Sequence, residues 1–133
     1  MRILIVEDDL ISRFLMQEIL RPYGDCDVAV NGKEALRAFE YARKEEKPYR
    51  AVFLDIMMPE MDGQEVLREI RRLEKEEDAT GGNEVKIIMV TSVDDRENVK
   101  MAFREQCEAY LLKPVNPAKL KETLIGLELI PPN

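Results

Sequence analysis

The stretch Ile3-Leu4-Ile5-Val6-Glu7-Asp8-Asp9 decides the fold, because a short apolar run ends there in three adjacent carboxylates. Three other segments repeat this pattern, with apolar runs at 51–54, 87–90 and 110–112 that end at Asp55, Thr91 and Lys113. Short, nearly continuous apolar runs are typical of strands buried on both faces of a parallel sheet. Such sheets bind ligands at the carboxyl ends of their strands, so the sequence predicts a site for a hard cation and a phosphoryl group there.

Predicted helices alternate with predicted strands along the chain. We expect strands at 2–7, 26–30, 51–55, 85–91 and 108–112, and helices at about 11–20, 34–44, 64–76, 96–105 and 117–126. The apolar residues of the first helix are spaced for one buried face; they are Ile11, Phe14, Leu15, Ile19 and Leu20. Five β-α units with right-handed crossovers predict a doubly wound α/β sandwich, a flavodoxin-like (βα)5 fold with a five-stranded parallel sheet.

Length and composition indicate one globular domain. The chain has 133 residues, and we expect a domain at 1–127 followed by a short tail at 128–133, with no output domain. A net charge of −7 makes direct binding to nucleic acid a poor expectation. No apolar stretch approaches the length of a membrane span and no signal peptide precedes the first strand, which predicts a cytoplasmic protein without a membrane partner.

Histidine is absent, which excludes a Ser-His-Asp triad, a His-ligated zinc site and a phosphohistidine in this chain. Cys26 and Cys107 lack metal-type spacing, and we expect both to be reduced core thiols. Any metal must therefore be held by oxygen atoms, which favours Mg²⁺, Mn²⁺ or Ca²⁺.

Four motifs in this order resemble the receiver domain of two-component response regulators, the CheY-like family. They are Ile3-Leu4-Ile5-Val6-Glu7-Asp8-Asp9, Asp55-Ile56-Met57-Met58-Pro59-Glu60-Met61-Asp62-Gly63, Thr91-Ser92 and Tyr110-Leu111-Leu112-Lys113-Pro114. The resemblance extends from Arg2 to about Leu127, so it makes residues 1–127 a receiver domain. It also implies the strand order 2-1-3-4-5 and favours a cis bond between Lys113 and Pro114.

The resemblance implies a phospho-accepting signalling switch rather than an enzyme. Asp55 would accept a phosphoryl group from a sensor histidine kinase or a histidine phosphotransfer protein, and the phosphorylated domain would dephosphorylate itself. Thr91 would hydrogen-bond the phosphoryl oxygens and Lys113 would pair with them. Thr91 and Tyr110 would then transmit the switch to the face formed by helix four, strand five and helix five, where an unidentified protein target or a second copy binds.

The resemblance also implies the metal and its ligands. Asp8, Asp55 and the backbone carbonyl of Met57 would bind Mg²⁺, or Mn²⁺ in its place. Glu7 would act through a water molecule. Mg²⁺ prefers one or two carboxylates with several waters and a phosphate, and this set satisfies that preference.

Other functions are open at this point. A Mg²⁺-dependent aspartyl-phosphate hydrolase of the haloacid-dehalogenase type would need a second Asp two positions after Asp55, where Met57 stands. A nucleotide-binding module would need a Gly-rich loop after the first strand, which is missing. A receiver without phosphorylation is disfavoured because every charged site residue is present.

Four features depart from the family pattern. Gln106 stands where a Gly is common, which predicts a positive φ for a non-glycine residue. The acidic segment 74–84 is longer than usual, and Met57 and Val93 are apolar beside the expected phosphoryl site, which predicts a long-lived phosphorylated form.

Overall fold

A computed structural model describes residues 1–77, 84–92 and 96–132, without the side chains of residues 77 and 96. The strands are β1 (Arg2–Val6), β2 (Asp25–Ala29), β3 (Ala51–Asp55), β4 (Lys86–Thr91) and β5 (Ala109–Leu112). The helices are α1 (Leu10–Leu20), α2 (Gly32–Lys44), α3 (Gly63–Glu77), α4 (Arg96–Arg104) and α5 (Pro117–Gly126), with a 3-10 turn at Arg21–Tyr23. The predicted alternation is confirmed, with element ends shifted by one or two residues.

All four strand pairings are parallel, and the sheet order is β2-β1-β3-β4-β5, as predicted. The sheet separates two apolar cores, because successive side chains of a strand point to opposite faces. Leu4 and Val6 of β1 pack in the core covered by α2, α3 and α4. Ile3 and Ile5 pack in the core covered by α1 and α5. This layering leaves the carboxyl ends of the strands together at one edge.

The predicted buried face of α1 is wrong for three of its five residues. Ile11, Phe14 and Leu15 are between 52% and 67% exposed, whereas Met16 and Leu20 are buried and Ile19 is half-buried. The helix is apolar on several sides, so apolar spacing alone does not select the side that meets the sheet. Together with Leu10, the exposed residues form what we call the α1 apolar face.

The prediction that the four apolar runs form strands buried on both faces is wrong for β5. This strand lies at the edge of the sheet, and its Tyr110 and Leu112 are exposed to 44% and 45%. Only one neighbouring strand and few helix residues cover an edge strand, so an apolar sequence there does not ensure burial. The two exposed side chains instead belong to the surface formed with α4.

Helices α1 and α5 are each preceded by a residue whose side-chain oxygen caps the first turn. Asp9 accepts a hydrogen bond from the Ser12 amide at 2.8 Å and caps α1. Asn116 accepts from the Ala118 amide at 2.8 Å and caps α5, whose first residue is Pro117, as predicted. Such caps fix the residue at which each helix begins, and therefore the path of the loop between the strand end and the helix.

A buried ionic network ties α3 to the amino ends of β4 and β5. The Arg71 guanidinium lies 2.6 Å from Glu74 and 2.8 Å from Glu108, and it also donates to the Gln106 carbonyl at 2.8 and 3.0 Å. Glu74 accepts from the backbone amide of Val85 at 2.7 Å. Burial raises the pKa of Glu108, which shows the cost of enclosing this carboxylate. Gln106 has a φ of 75°, as predicted, and this conformation turns its carbonyl towards Arg71.

Removal of Arg71 should strongly destabilise the protein. Arg71→Met leaves Glu74 and Glu108 without their common partner, and breaking a buried pair in this way costs about 3–5 kcal/mol. Arg72→Met is the matched control, because Arg72 is 54% exposed in its ion pairs with Glu69 and Glu76 and such pairs contribute at most about 1 kcal/mol. Urea unfolding measures both, and equal losses in the two variants would contradict a structural role for the network.

Candidate functional site

Four strand ends bring the predicted polar residues to one edge of the sheet. Glu7 follows β1, Asp55 ends β3, Thr91 ends β4 and Lys113 follows β5. Glu7 and Asp55 are buried, at 3% and 5% exposure, whereas Asp8 is exposed. The site is therefore a buried carboxylate pair with an exposed carboxylate at its entrance.

Lys113 links the two buried carboxylates. Its Nζ lies 2.8 Å from Glu7 Oε1 and 3.5 Å from Asp55 Oδ1. Burial lowers the pKa of the Lys113 ammonium, but the hydrogen bond and charge of Glu7 and the charge of Asp55 outweigh it, so the net pKa is raised. Lys113 therefore stays charged and offsets part of the repulsion between the carboxylates.

The Asp55 carboxyl remains destabilised as an anion despite this lysine. Burial is the largest cause, followed by the hydrogen bond and the charge of Glu7, and together they raise the pKa of Asp55 to about 7. The Met57 amide donates to Asp55 Oδ1 at 3.3 Å, which opposes the shift only in part. An additional positive charge at this edge would stabilise the ionised form.

Three carboxylates lie close enough together to bind one cation; they belong to Glu7, Asp8 and Asp55. Each offers a carboxylate oxygen, and these oxygens lie within 4.8 Å of one another. An all-oxygen donor set suits a hard cation such as Mg²⁺. Asp9, the fourth carboxylate of the predicted group, is engaged as the cap of α1 instead.

Two residues that the sequence did not single out hold this arrangement. Arg13 donates to the Glu7 carbonyl at 3.0 Å and fixes the backbone between β1 and α1. Gly63 packs against the Asp55 carbonyl so closely that a Cβ would collide with it. Gly63 follows Asp62, a common turn pair, but that signal does not reveal a contact with Asp55.

The two predicted switch residues occupy neighbouring strands in different environments. Thr91 is 1% exposed, and its hydroxyl donates a long hydrogen bond to the Ser92 carbonyl at 3.4 Å. The Tyr110 ring lies on the surface and meets Phe103 of α4 edge to face, with ring centroids 6.0 Å apart. Phe103 was not predicted as part of the site.

Some of the other residues named from the sequence lie within the described residues and some lie outside them. Met57 exposes 63% of its surface beside Asp55. Val93, the 78–83 part of the acidic segment and residue 133 of the tail lie outside the described residues. The peptide bond between Lys113 and Pro114 is cis, as expected. Cys26 and Cys107 are both free thiols, the first half-buried and the second buried.

The fold and the site together define a class of protein. It is a doubly wound α/β protein that gathers acidic residues and a lysine at the carboxyl ends of a five-stranded parallel sheet. The family model of the response regulator receiver domain matches residues 3–125, so the chain belongs to the response regulator receiver family.

Known relatives agree with this assignment. The regulatory protein VanRB of Enterococcus faecalis is 35% identical over 114 residues, which are 85% of this chain. The chain spans about half of that relative, 46% of its length.

Solved structures are also similar. The receiver domain of the Arabidopsis thaliana histidine kinase CKI1, complexed with Mg²⁺ and BeF₃⁻, is 29% identical with a TM-score of 0.76, covering 96% of this chain and 88% of that one. A chain in the co-crystal structure of the Saccharomyces cerevisiae phosphotransfer protein Ypd1 with the Ssk1 receiver domain is 26% identical with a TM-score of 0.79, covering 98% and 92%.

Among the described residues, no helix combines the length and the apolar character needed to cross a bilayer.

Asp55→Asn should stabilise the metal-free protein at alkaline pH. The folded-state pKa of about 7 lies above the ordinary 3.8, so folding disfavours the ionised Asp55. This cost is fully present above about pH 7 and disappears below the ordinary pKa. Thermal unfolding in EDTA should show a higher Tm for Asp55→Asn at pH 8, with a smaller difference from wild type at pH 5.

Asp9→Asn is the matched control for this measurement. The hydrogen bonds from Ser12 lower the pKa of Asp9, so folding favours its ionised form, and Asn also caps helices well. Asp9→Asn should therefore not raise the Tm at pH 8. A Tm gain for Asp55→Asn that does not change with pH would contradict the electrostatic explanation.

Proposed function

We propose that this receiver domain is a cytoplasmic phosphorylation switch in which Asp55 accepts a phosphoryl group from a sensor histidine kinase or a histidine phosphotransfer protein. One observation carries the proposal: the Lys113 ammonium lies 3.5 Å from Asp55 and 2.8 Å from Glu7, where three carboxylates converge. A lysine that only neutralised a buried carboxylate would need a single partner. Lys113 lies beside two carboxylates, where its ammonium can also pair with an anion that binds between them.

The oxygen donors fit a Mg²⁺ ion, for which Mn²⁺ could be exchanged. Asp8, Asp55 and the backbone carbonyl of Met57 would bind it directly, and Glu7 would act through a water molecule. When bound, the ion would neutralise negative charge on the phosphoryl oxygens and on the carboxylates. This role agrees with the raised pKa of Asp55, because a cation would stabilise the ionised carboxylate that burial and the neighbouring Glu7 disfavour.

In the transfer, an Asp55 carboxylate oxygen attacks phosphorus while the bond between phosphorus and the donor imidazole nitrogen breaks. Negative charge then spreads over the three phosphoryl oxygens, and positioning and charge stabilisation supply most of the catalysis. Lys113 is close enough to Asp55 to pair with one of these oxygens. The Thr91 hydroxyl at the end of β4 would hydrogen-bond another.

The phosphodonor protein would dock on the α1 apolar face. Leu10, Ile11, Phe14 and Leu15 form an exposed apolar patch on the helix that begins directly after the acidic turn of β1. Exposed apolar patches of this kind mark interaction sites in soluble proteins. A partner seated here lies beside the entrance that Asp8 marks, so its phosphohistidine could reach Asp55.

The output would leave through the face formed by α4, β5 and α5. A hydrogen bond from Thr91 to a phosphoryl oxygen would draw its hydroxyl inward and give the Tyr110 ring space to turn from the surface. Phe103 of α4, which meets the Tyr110 ring edge to face, would repack with it, and Met101 and Leu112 are further exposed apolar side chains of α4 and β5. A downstream protein or a second copy of the domain would then distinguish the two states.

Phosphorylation should require both Asp55 and Mg²⁺. Acetyl phosphate with Mg²⁺ should add one phosphoryl group to the wild-type protein by mass spectrometry, and none to Asp55→Asn or in the presence of EDTA. Asp8→Asn should weaken Mg²⁺ binding far more than Asp9→Asn, because Asp9 lies outside the carboxylate cluster. Modification of Asp55→Asn at the wild-type rate would disprove the assignment.

Thr91→Ala should separate phosphorylation from signalling. In wild type, beryllofluoride with Mg²⁺ should shift NMR signals of Tyr110 and α4 as well as those of the site. In Thr91→Ala the shifts should stay at the site, because the hydroxyl that connects them is gone. Thr123→Ala on exposed α5 is the control and should behave as wild type. Wild-type shifts that never reach Tyr110 would refute the switching route.

A further inference from the structure

A second charged region lies far from the acidic site, between α3 and the end of α4. A cavity of about 250 Å³ is lined there by five cationic side chains: Arg68, Arg71, Arg72, Lys75 and Arg104. The chain as a whole carries a net charge of −7, so its composition does not account for this concentration of positive charge. The cavity lies beside Gln106, near the amino end of β5, whereas the acidic site lies at the carboxyl ends of the strands.

The five cations differ in how their charge is compensated. Arg71 is neutralised by Glu74 and Glu108 and forms a rigid part of the wall. Arg72 is engaged only in exposed pairs on its own helix, at 2.7 Å from Glu69 and Glu76, and such pairs are weak.

The remaining three cations, Arg68, Lys75 and Arg104, make no ion pair with any described residue. Glu105 adds one carboxylate to the lining. The cavity therefore presents an excess of positive charge that the ion pairs among the described residues offset only in part.

The spacing of these cations suits an extended anion. Arg68, Arg72 and Lys75 lie at i, i+4 and i+7 on one side of α3, which corresponds to about 10 Å along the helix. Arg104 faces them from the end of α4. Like charges at this spacing destabilise a helix slightly, and the pairs of Arg72 with Glu69 and Glu76 offset only part of that cost. Guanidinium groups bind phosphoryl oxygens, like carboxylate oxygens, with two parallel hydrogen bonds, and a row of cations about 10 Å long suits an anion with several such groups in line.

We propose that this cavity binds the oligophosphate chain of a small molecule. Its volume is below the roughly 300–1,000 Å³ of pockets that enclose a whole drug-sized ligand, so it admits a phosphate chain and leaves any attached group outside. Inorganic tripolyphosphate and a nucleoside triphosphate share this chemistry. Binding here needs no divalent cation, because the protein itself supplies the positive charge.

The test is an NMR titration of the wild-type chain with tripolyphosphate in EDTA, which keeps the acidic site free of metal. Amide shifts should change at residues 68–75 and 104–106 and saturate. Arg68→Gln with Arg104→Gln should weaken binding about tenfold or more, since each loses charge-assisted hydrogen bonds.

Lys119→Gln with Lys121→Gln on α5 removes the same net charge from an exposed surface and is the matched control. It should change the affinity by no more than about twofold, as expected for a distant, screened charge. A second titration with ATP separates the two sources of the chain. Equal affinity shows that phosphate alone is recognised, and tighter ATP binding shows that the nucleoside adds contacts.

Two results would overturn the proposal. One is the absence of saturable shifts at the cavity with either probe, and the other is an equal loss of affinity in both double variants, which would indicate general charge attraction. Phosphorylation by acetyl phosphate with Mg²⁺ is measured separately on the Arg68 and Arg104 variant. It should match wild type, so failure of the switch at Asp55 and failure of the oligophosphate site are distinguishable.

Discussion

The repulsion between the buried carboxylates of Glu7 and Asp55 is the constraint on which the other features of this edge depend. Two anions enclosed at strand ends oppose folding unless a positive charge reaches them, and Lys113 supplies one such charge at 2.8 and 3.5 Å. One ammonium shared by two carboxylates leaves the pKa of Asp55 near 7. The carboxylates of this edge therefore exceed its positive charge, and a bound cation would reduce the imbalance.

The ionic network around Arg71, at the opposite end of the sheet, shows how the same chain encloses charges that are fully paired within the protein. Arg71 is paired with Glu74 and Glu108, and a backbone carbonyl and two amides complete their hydrogen bonds. This network is closed, and it fixes α3 against β4 and β5. The molecule thus combines a closed buried network around Arg71, where charges are matched, with an acidic edge, where they are not.

The positions of the strands could be predicted from the sequence, because apolar runs that end in acidic or hydroxyl residues are local signals, whereas the strand order rested on the resemblance to receiver domains. The carboxyl ends of parallel strands share one edge, so Glu7, Asp55, Thr91 and Lys113 could also be predicted to meet. The buried side of α1 could not be predicted, since Ile11, Phe14 and Leu15 are as apolar as the residues that do pack. Which apolar side meets the sheet depends on tertiary contacts.

Long-range side-chain contacts could not be predicted from the sequence either. Arg71 and Glu108 are separated by 37 residues, and nothing near either residue distinguishes them from surface charges. The same holds for the edge-to-face contact of Phe103 with Tyr110, which joins a helix to an edge strand. These contacts depend on how α3 and α4 lie on the sheet, and apolar periodicity sets only which side of a helix faces inward.

The end of α5 has a consequence for where this domain stops. The predicted boundary at residue 127 follows the helix, and the family match ends at 125, but Leu129 beyond both is buried in the core beside Leu120 and Leu124. Its amide also donates to the Leu124 carbonyl at 2.9 Å, so the chain folds back over the helix end. A chain shortened to the family boundary would expose apolar surface that Leu129 now covers. The packed domain therefore extends beyond the last residue that the family model matches.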